Sequence, residues 1–178
     1  SENNIPNSFN VLDIGCAEGI LGFLLEKDGI TTYGIDPSES MIRFAIDELS
    51  LPKERYKHGE YCYESYEDNS FDVITSYHVI EHTIDPMKFL INAKMHLKKH
   101  GLLFISTPSC KLSFEQFNLT GESPNYTPLH LFLLSEDWFK EVIEKNGFHL
   151  VWKESFAGKG ISKAGEKNGG MNYVLSKK

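Results

Sequence analysis

The chain has no long apolar run. Nothing in its 178 residues approaches the eighteen or so consecutive apolar residues of a membrane span. It is short of cysteine: Cys16, Cys62 and Cys110 lie far apart, with no CxxC pair. That excludes a disulfide framework or a zinc ribbon and predicts reduced thiols in an intracellular setting. Positive charge is also short, with 18 Lys and Arg against 25 Asp and Glu, a net charge of −7. A large phosphate-backbone partner wants a basic face, so nucleic acid is not the expected partner. The start, "SENNIPNSFN", lacks the charged-then-apolar layout of a signal peptide, and cytoplasm is the expected location. There is no internal repeat and no long low-complexity stretch. What is present is an ordinary mixture, 40% hydrophobic and 24% charged, long enough for one domain with a real core.

Strand and helix signals alternate along it. "FNVLDIG", "TTYGID", "FDVITSY" and "LLFIST" are short apolar or β-branched runs and read as buried strands. A weaker strand is expected at Arg55–His58. "EGILGFLLEKDG" reads as a helix closed by Gly29, and Met41, Ile42, Ala45, Ile46 and Leu49 recur at helical spacing behind Ser38 as cap. Residues 85–100 are expected as a helix, with Asp85 capping it, Pro86 at its first position and Gly101 after it. Lys98, Lys99 and His100 would then complement its dipole. Residues 108–134 read as an irregular insertion, a lid whose apolar side Phe114, Phe117 and Tyr126 would line. Ser135 starts a last helix, and "FHLVWKES" and "MNYVLSK" close the chain as strands. Repeated strand–helix units predict an α/β, Rossmann-like, doubly wound and mainly parallel seven-stranded sheet, with helices on both faces and an antiparallel terminal strand.

In such a sheet ligands bind at the carboxyl ends of the strands. The first strand ends in "DIGCAEG", where Gly15 and Gly19 permit a tight turn and close backbone approach. The second ends in Asp36, whose carboxylate can accept both hydroxyl protons of a ribose. Glu18 stands where a dinucleotide's pyrophosphate would lie and would repel it. A ligand with a cationic centre and an amino-acid tail fits better, with Asp13 and Glu18 beside its positive charge.

These segments resemble the class I S-adenosylmethionine-dependent methyltransferases, over nearly the whole chain. "VLDIGCAEG" is similar to that family's first motif, and the resemblance implies cofactor contacts from Asp13, Gly15, Cys16, Ala17 and Gly19. "YGIDPSESM" implies a ribose bond from Asp36, with Pro37 and Met41 near the adenine. "HGEYCYE" lies where the family meets the adenine edge, which makes Glu60 and Tyr61 candidates; ordinary packing is the alternative for Tyr61, Tyr63 and Tyr66. "SFDVITSYHVIEHTIDP" resembles the branch with ubiquinone-type O-methyltransferases and places Ser76, Tyr77 and His78 beside the methyl donor. Ala17 departs from the usual central glycine. The family's helices before the first strand are also missing, since about ten residues precede it here; the expectation is a shortened chain or an open domain.

Spacings of three and four put His78, Glu81 and His82 on one face if the stretch is helical. Such a face can bind a divalent metal, with His130 as a fourth candidate. The resemblance points the same way: relatives hold a magnesium-like ion with E-x-x-E-H and a later His, and His78 here replaces the first glutamate. Three imidazoles and one carboxylate favour a softer ion than magnesium. Alternatively the ion is lost and His78 acts as a general base. The expected function is methyl transfer from S-adenosylmethionine to a hydroxyl or amine of a small molecule or glycan. The rival readings are a cofactor-binding module without catalysis and, against the charge, methylation of small RNA at the 2′-oxygen. The acceptor and the oligomeric state are not legible.

Overall fold

A computed structural model describes residues 9–62, 64, 66–122, 125, 127–157 and 169–178. Seven strands form one sheet: β1 (Asn10–Ile14), β2 (Thr31–Asp36), β3 (Tyr56–His58), β4 (Phe71–Tyr77), β5 (Leu97–Pro108), β6 (Phe148–Ala157) and β7 (Gly169–Lys177). Their order is β3-β2-β1-β4-β5-β7-β6. The pairings β2–β3, β1–β2, β1–β4 and β4–β5 are parallel; β7 enters antiparallel between β5 and β6. The helices are α1 (Ile20–Lys27), α2 (Glu39–Asp47), α3 (Pro86–His96), α4 (Cys110–Thr120) and α5 (Glu136–Lys145). The Rossmann-like sheet expected from the alternating pattern is therefore present. Among the described residues no helix is long and apolar enough to cross a membrane.

Alternation along the strands sorts the two faces. Leu12, Ile14, Ile74, Leu103 and Ile105 point to one side, where Phe89, Leu90 and Ala93 of α3 and Phe139 of α5 complete the main core. On the other side α1 and α2 cover β1 to β3 around Cys16, Ile42, Ala45, Leu51 and Tyr56. Gly22 of α1 packs so closely there that a Cβ would lie 1.8 Å from the Tyr56 hydroxyl.

Several local expectations change. The helix predicted over 85–100 ends at His96, because Leu97 turns extended and pairs with Phe71 as the first residue of β5. Residues 98–101 bulge opposite Asp72, whose carboxylate takes Lys98 at 2.7 Å. Lys98, Lys99 and His100 therefore do not end a helix, and Gly101 lies within a strand. Asp85 caps α3 as expected, accepting from the Lys88 N–H. Ser38 stands at the start of α2, but its side chain does not cap the helix. The stretch 108–134 is not irregular throughout: Ser109 caps α4, and Gly121 ends it in the left-handed conformation. Phe114 and Phe117 are exposed on α4, while Ser113 and Gln116 are its buried residues. Tyr63 and Tyr126 lie outside the described residues.

Candidate functional site

The carboxyl ends of β1 and β2 meet through Asp36. Its Oδ2 accepts the Ala17 N–H at 3.0 Å and its Oδ1 accepts the Ser38 N–H at 2.8 Å. The carboxylate thus fixes the loop after β1 against the start of α2. Each oxygen retains a lone pair for a ligand hydroxyl. Gly15 turns with φ 73°, and a Cβ on it would lie 2.3 Å from Val79 Cγ2. Only glycine fits both that conformation and that approach. Gly19 also has positive φ and leads into α1.

Ala17 holds φ 45°, a conformation that costs an L-residue about 1–2 kcal/mol. Ala17→Gly is therefore expected to stabilise the protein by about 1 kcal/mol, read as a rise of about 2–4 °C in thermal midpoint. An unchanged or lower midpoint would show that the loop carries no strain there.

A partly open pocket of about 140 Å³ lies beside this loop. Ile14, Gly15, Ile35, Pro37, Val79 and Ile84 make its apolar wall, with Gly59, Glu60, Tyr61 and Cys62 on one side and His82, Thr83, Asp85 and Lys88 on another. Four of the residues picked from sequence for the cofactor, Gly15, Pro37, Glu60 and Tyr61, line it. Tyr61 also packs in the main core with its hydroxyl 2.8 Å from His96 Nδ1, so packing and pocket wall hold together. Cys16 is buried beneath the loop, and burial pushes its thiol above the ordinary range. Met41 is half-buried on α2. Ser76 is fully buried, pairs in register with Ile14, and its hydroxyl has no partner among the described residues. Tyr77 is 62% exposed. Sequence reading missed Val79, Ile84 and Lys88; Val79 lies inside the histidine stretch that drew the reading to polar groups.

Asp13 receives the Thr75 hydroxyl at 2.6 Å. Burial pushes its carboxyl up to about 6, Thr75 opposing and Asp36 adding to the rise. Because the folded-state value is raised, Asp13's contribution to stability is complete below pH 3.8 and is lost as pH rises through about 6. A cationic ligand beside it favours the ionised form. S-adenosylmethionine affinity is therefore expected to fall about tenfold from pH 7 to pH 5, by titration calorimetry. A flat profile would place the cation elsewhere.

The stretch after β4 forms a short 3-10 turn, Ile80–His82. His78 before it has φ 55°, a strained value for a side chain of this size, and strain of that kind gathers at functional sites. Glu81 is fully buried. Its Oε1 accepts from His78 Nδ1 at 3.0 Å and its Oε2 from the Thr107 hydroxyl at 3.0 Å. Its main-chain oxygen accepts the Leu131 and Phe132 N–H groups. Glu81 thereby joins β4, β5 and the strap before α5.

Glu81, His82 and His130 place one possible ligand atom each within 4.8 Å of one another. His82 donates Nδ1–H to the Leu129 carbonyl at 2.7 Å, and His130 donates Nδ1–H to the Asn125 carbonyl at 2.9 Å. Both imidazoles are held in the tautomer that leaves Nε2 as the free lone pair, the usual outer support of a metal-ligating histidine. His78 does not join this group; its Nδ1 is turned to Glu81 instead. No sequence signal pointed to Thr107 or to the Leu129 carbonyl, which lie 26 and 47 positions along the chain from the residues they hold, and the Asn125 carbonyl, five from His130, sits in the stretch read as an irregular insertion.

A family model described as a methyltransferase domain matches residues 2–153. A ubiquinone biosynthesis O-methyltransferase of Pasteurella multocida is 34% identical over 109 residues, 54% of this chain and 45% of its own. The chain spans about half the length of the curated relatives it matches. A solved SAM-dependent methyltransferase of Methanosarcina mazei superposes with a TM-score of 0.74 at 19% identity, covering 98% of this chain and 95% of that one. The [4+2]-cyclase SpnF superposes with a TM-score of 0.73 at 17% identity, covering 96% and 74%. The two solved structures share the fold, and fold alone does not fix a reaction. With most of the chain matched by the family model, the protein belongs to the class I S-adenosylmethionine-dependent methyltransferase family and is related to its ubiquinone-type O-methyltransferases.

Proposed function

We propose that the protein methylates a hydroxyl of a small molecule, with S-adenosylmethionine as donor. The observation that carries this reading is the Asp36 lock on the loop after β1, set beside a largely apolar pocket and within one short turn of His78 and Glu81. When bound, the cofactor supplies an electrophilic methyl group on a sulfonium. The chain's part is to align and to move a proton. The backbone at Gly15 approaches the ligand closely, Asp36 accepts ribose hydroxyl protons, and Ile14, Ile35 and Val79 exclude water from the pocket. Cys16, Ala17 and Gly19 shape the loop, while Met41, Ser76 and Tyr77, which do not line the pocket, are further candidates for the cofactor.

His78 is the proposed general base. Glu81 takes its Nδ1–H, which leaves Nε2 to accept the acceptor's proton. Glu81, His82 and His130 would hold a divalent ion, which lowers the pKa of a bound hydroxyl. The nitrogen-rich donor set suits zinc, manganese or iron better than magnesium. The strap at residues 129–134, tied to Glu81, forms the cover on that side, and α4 is the rest of the proposed lid.

The test uses the full-length protein and a metabolite panel with labelled S-adenosylmethionine. Methyl transfer to a hydroxyl compound is expected. His78→Ala should lower kcat by about 10²–10⁴-fold with S-adenosylhomocysteine affinity kept within about twofold, and His82→Ala should remove the ion seen by elemental analysis. Donor binding without transfer to any acceptor would favour the second reading, a non-catalytic cofactor-binding module, which the strained Ala17 supports. An ion-free wild type after incubation with zinc and manganese would end the metal proposal. Methylation of small RNA stands behind both, since the charge of −7 opposes it.

A further inference from the structure

Two buried polar atoms on one face of the sheet have no partner among the described residues: the Ser106 hydroxyl and Asn172 Oδ1. Strand register sets them side by side. Ser106 pairs with Asn172 between β5 and β7, and with Tyr77 between β4 and β5. Paired residues share a face, and residues two apart return to it. The row Tyr77, Ser106, Asn172 therefore lies on the side of Thr75, one step nearer the carboxyl ends of β4 and β5. Asp13 is on that side too, since it receives the Thr75 hydroxyl. The apolar core occupies the opposite face, with Ile14, Ile105 and Met171.

Ser106 is 0% exposed. A buried hydroxyl and a buried amide oxygen without partners cost stability, and proteins keep such groups where function needs them. Phe104 and Val174 pair one step back on the same face, and Trp152 pairs with Val174. Leu102 and Trp152 are exposed, so this face is open towards β6 among the described residues. This side of the sheet thus carries an apolar floor and a buried polar row. Asn172 Oδ1 wants a donor, and Ser106 can donate or accept. An anion is disfavoured, because Asp13 and Glu154, which pairs with Asn172, bring negative charge to the same face.

We infer that Ser106 and Asn172 are the subsite that holds the methyl acceptor through a neutral hydroxyl or amino group, with exposed Tyr77 as its movable flank. The inference rests on the reading that the loop at Gly15 and Asp36 holds the methyl donor. It assigns specificity to two strand residues that were not among the site candidates read from the sequence.

The experiment follows backbone amides of the labelled full-length protein by NMR, with and without S-adenosylhomocysteine. Phenol is the probe, and toluene is its shape-matched partner without the hydroxyl. Phenol is expected to bind about fivefold more tightly than toluene, with shifts centred on residues 106 and 172. In Ser106→Ala and Asn172→Ala the preference should fall within about twofold, with S-adenosylhomocysteine binding kept. Ser106→Ala should also raise the thermal midpoint of the ligand-free protein by about 2–4 °C, because it removes an unpaired buried hydroxyl. A hydroxyl with a purely structural role would give a lower midpoint instead. Equal binding of the two probes, a preference that survives both substitutions, or a lowered midpoint overturns the subsite while leaving the donor reading in place. Phenol preference without S-adenosylhomocysteine binding overturns the donor reading and the acceptor role together.

Discussion

Asp36→Ala is expected to weaken S-adenosylhomocysteine binding by about 10²–10³-fold. The carboxylate has two duties in the proposed site. It would accept the ribose hydroxyls, and a hydrogen bond to a charged group contributes about 1.5–3 kcal/mol. It also holds the Ala17 and Ser38 N–H groups, which keep the strained loop after β1 in place. Removal frees both N–H groups and lets Ala17 leave φ 45°. Asp36→Asn separates the two duties, because one side-chain oxygen remains to hold one N–H while the other position becomes a donor. It should fall between wild type and Asp36→Ala. If Asp36→Ala binds within about threefold of wild type, the ribose is held elsewhere.

Glu81→Ala is expected to cost about 3 kcal/mol of stability, a loss of about 6–12 °C in thermal midpoint, and to abolish any bound ion. A buried carboxylate is weak proof of net stabilisation, since taking it out of water is itself costly. Removing one partner is another matter. His78 would lose its orienting acceptor, and the buried Thr107 hydroxyl would lose its only described acceptor. The Glu81 main-chain bonds to Leu131 and Phe132 survive any side-chain change, so the strap should stay docked. Glu81→Gln keeps the shape and one carbonyl oxygen and should cost less than half as much. Calorimetric unfolding of the three proteins measures this. An unchanged midpoint in Glu81→Ala would show that the carboxylate is retained for chemistry alone.

Much of the sheet was legible because its signals are local. "VLDIG" and "FDVITSY" are rich in apolar and β-branched residues, and a glycine marks the end of the first. The helix at 85–100 was read too long because Lys98, Lys99 and His100 look like a helix terminus. What decides otherwise is Leu97, which is fully buried and pairs with Phe71, 26 positions earlier. Helix α4 was hidden for a different reason. Its inward residues, Ser113 and Gln116, are polar, and its outward ones, Phe114, Phe117 and Leu119, are apolar, so its pattern is inverted. The prolines and glycine nearby argued for a loop.

The candidate site divides in the same way. The spacing from Gly15 to Asp36 is readable because it joins two consecutive strand ends, and the cluster at His78 because it lies within one motif. The contact of Glu81 with Thr107 and the pairing of Ser106 with Asn172 depend on strand register across distant parts of the chain. No window of sequence contains them. The exchange of glutamate for His78 was visible and left ion ligand and general base both open; the imidazole turns to Glu81 and stands outside the group of Glu81, His82 and His130.

The account stands or falls on the donor site. Titration calorimetry of the full-length protein with S-adenosylhomocysteine at pH 7, beside Asp36→Ala, measures it directly. One ligand per chain is expected for the wild type, with the variant weakened at least about a hundredfold. No detectable heat from the folded wild type at millimolar ligand, or equal affinity in the two proteins, would contradict it.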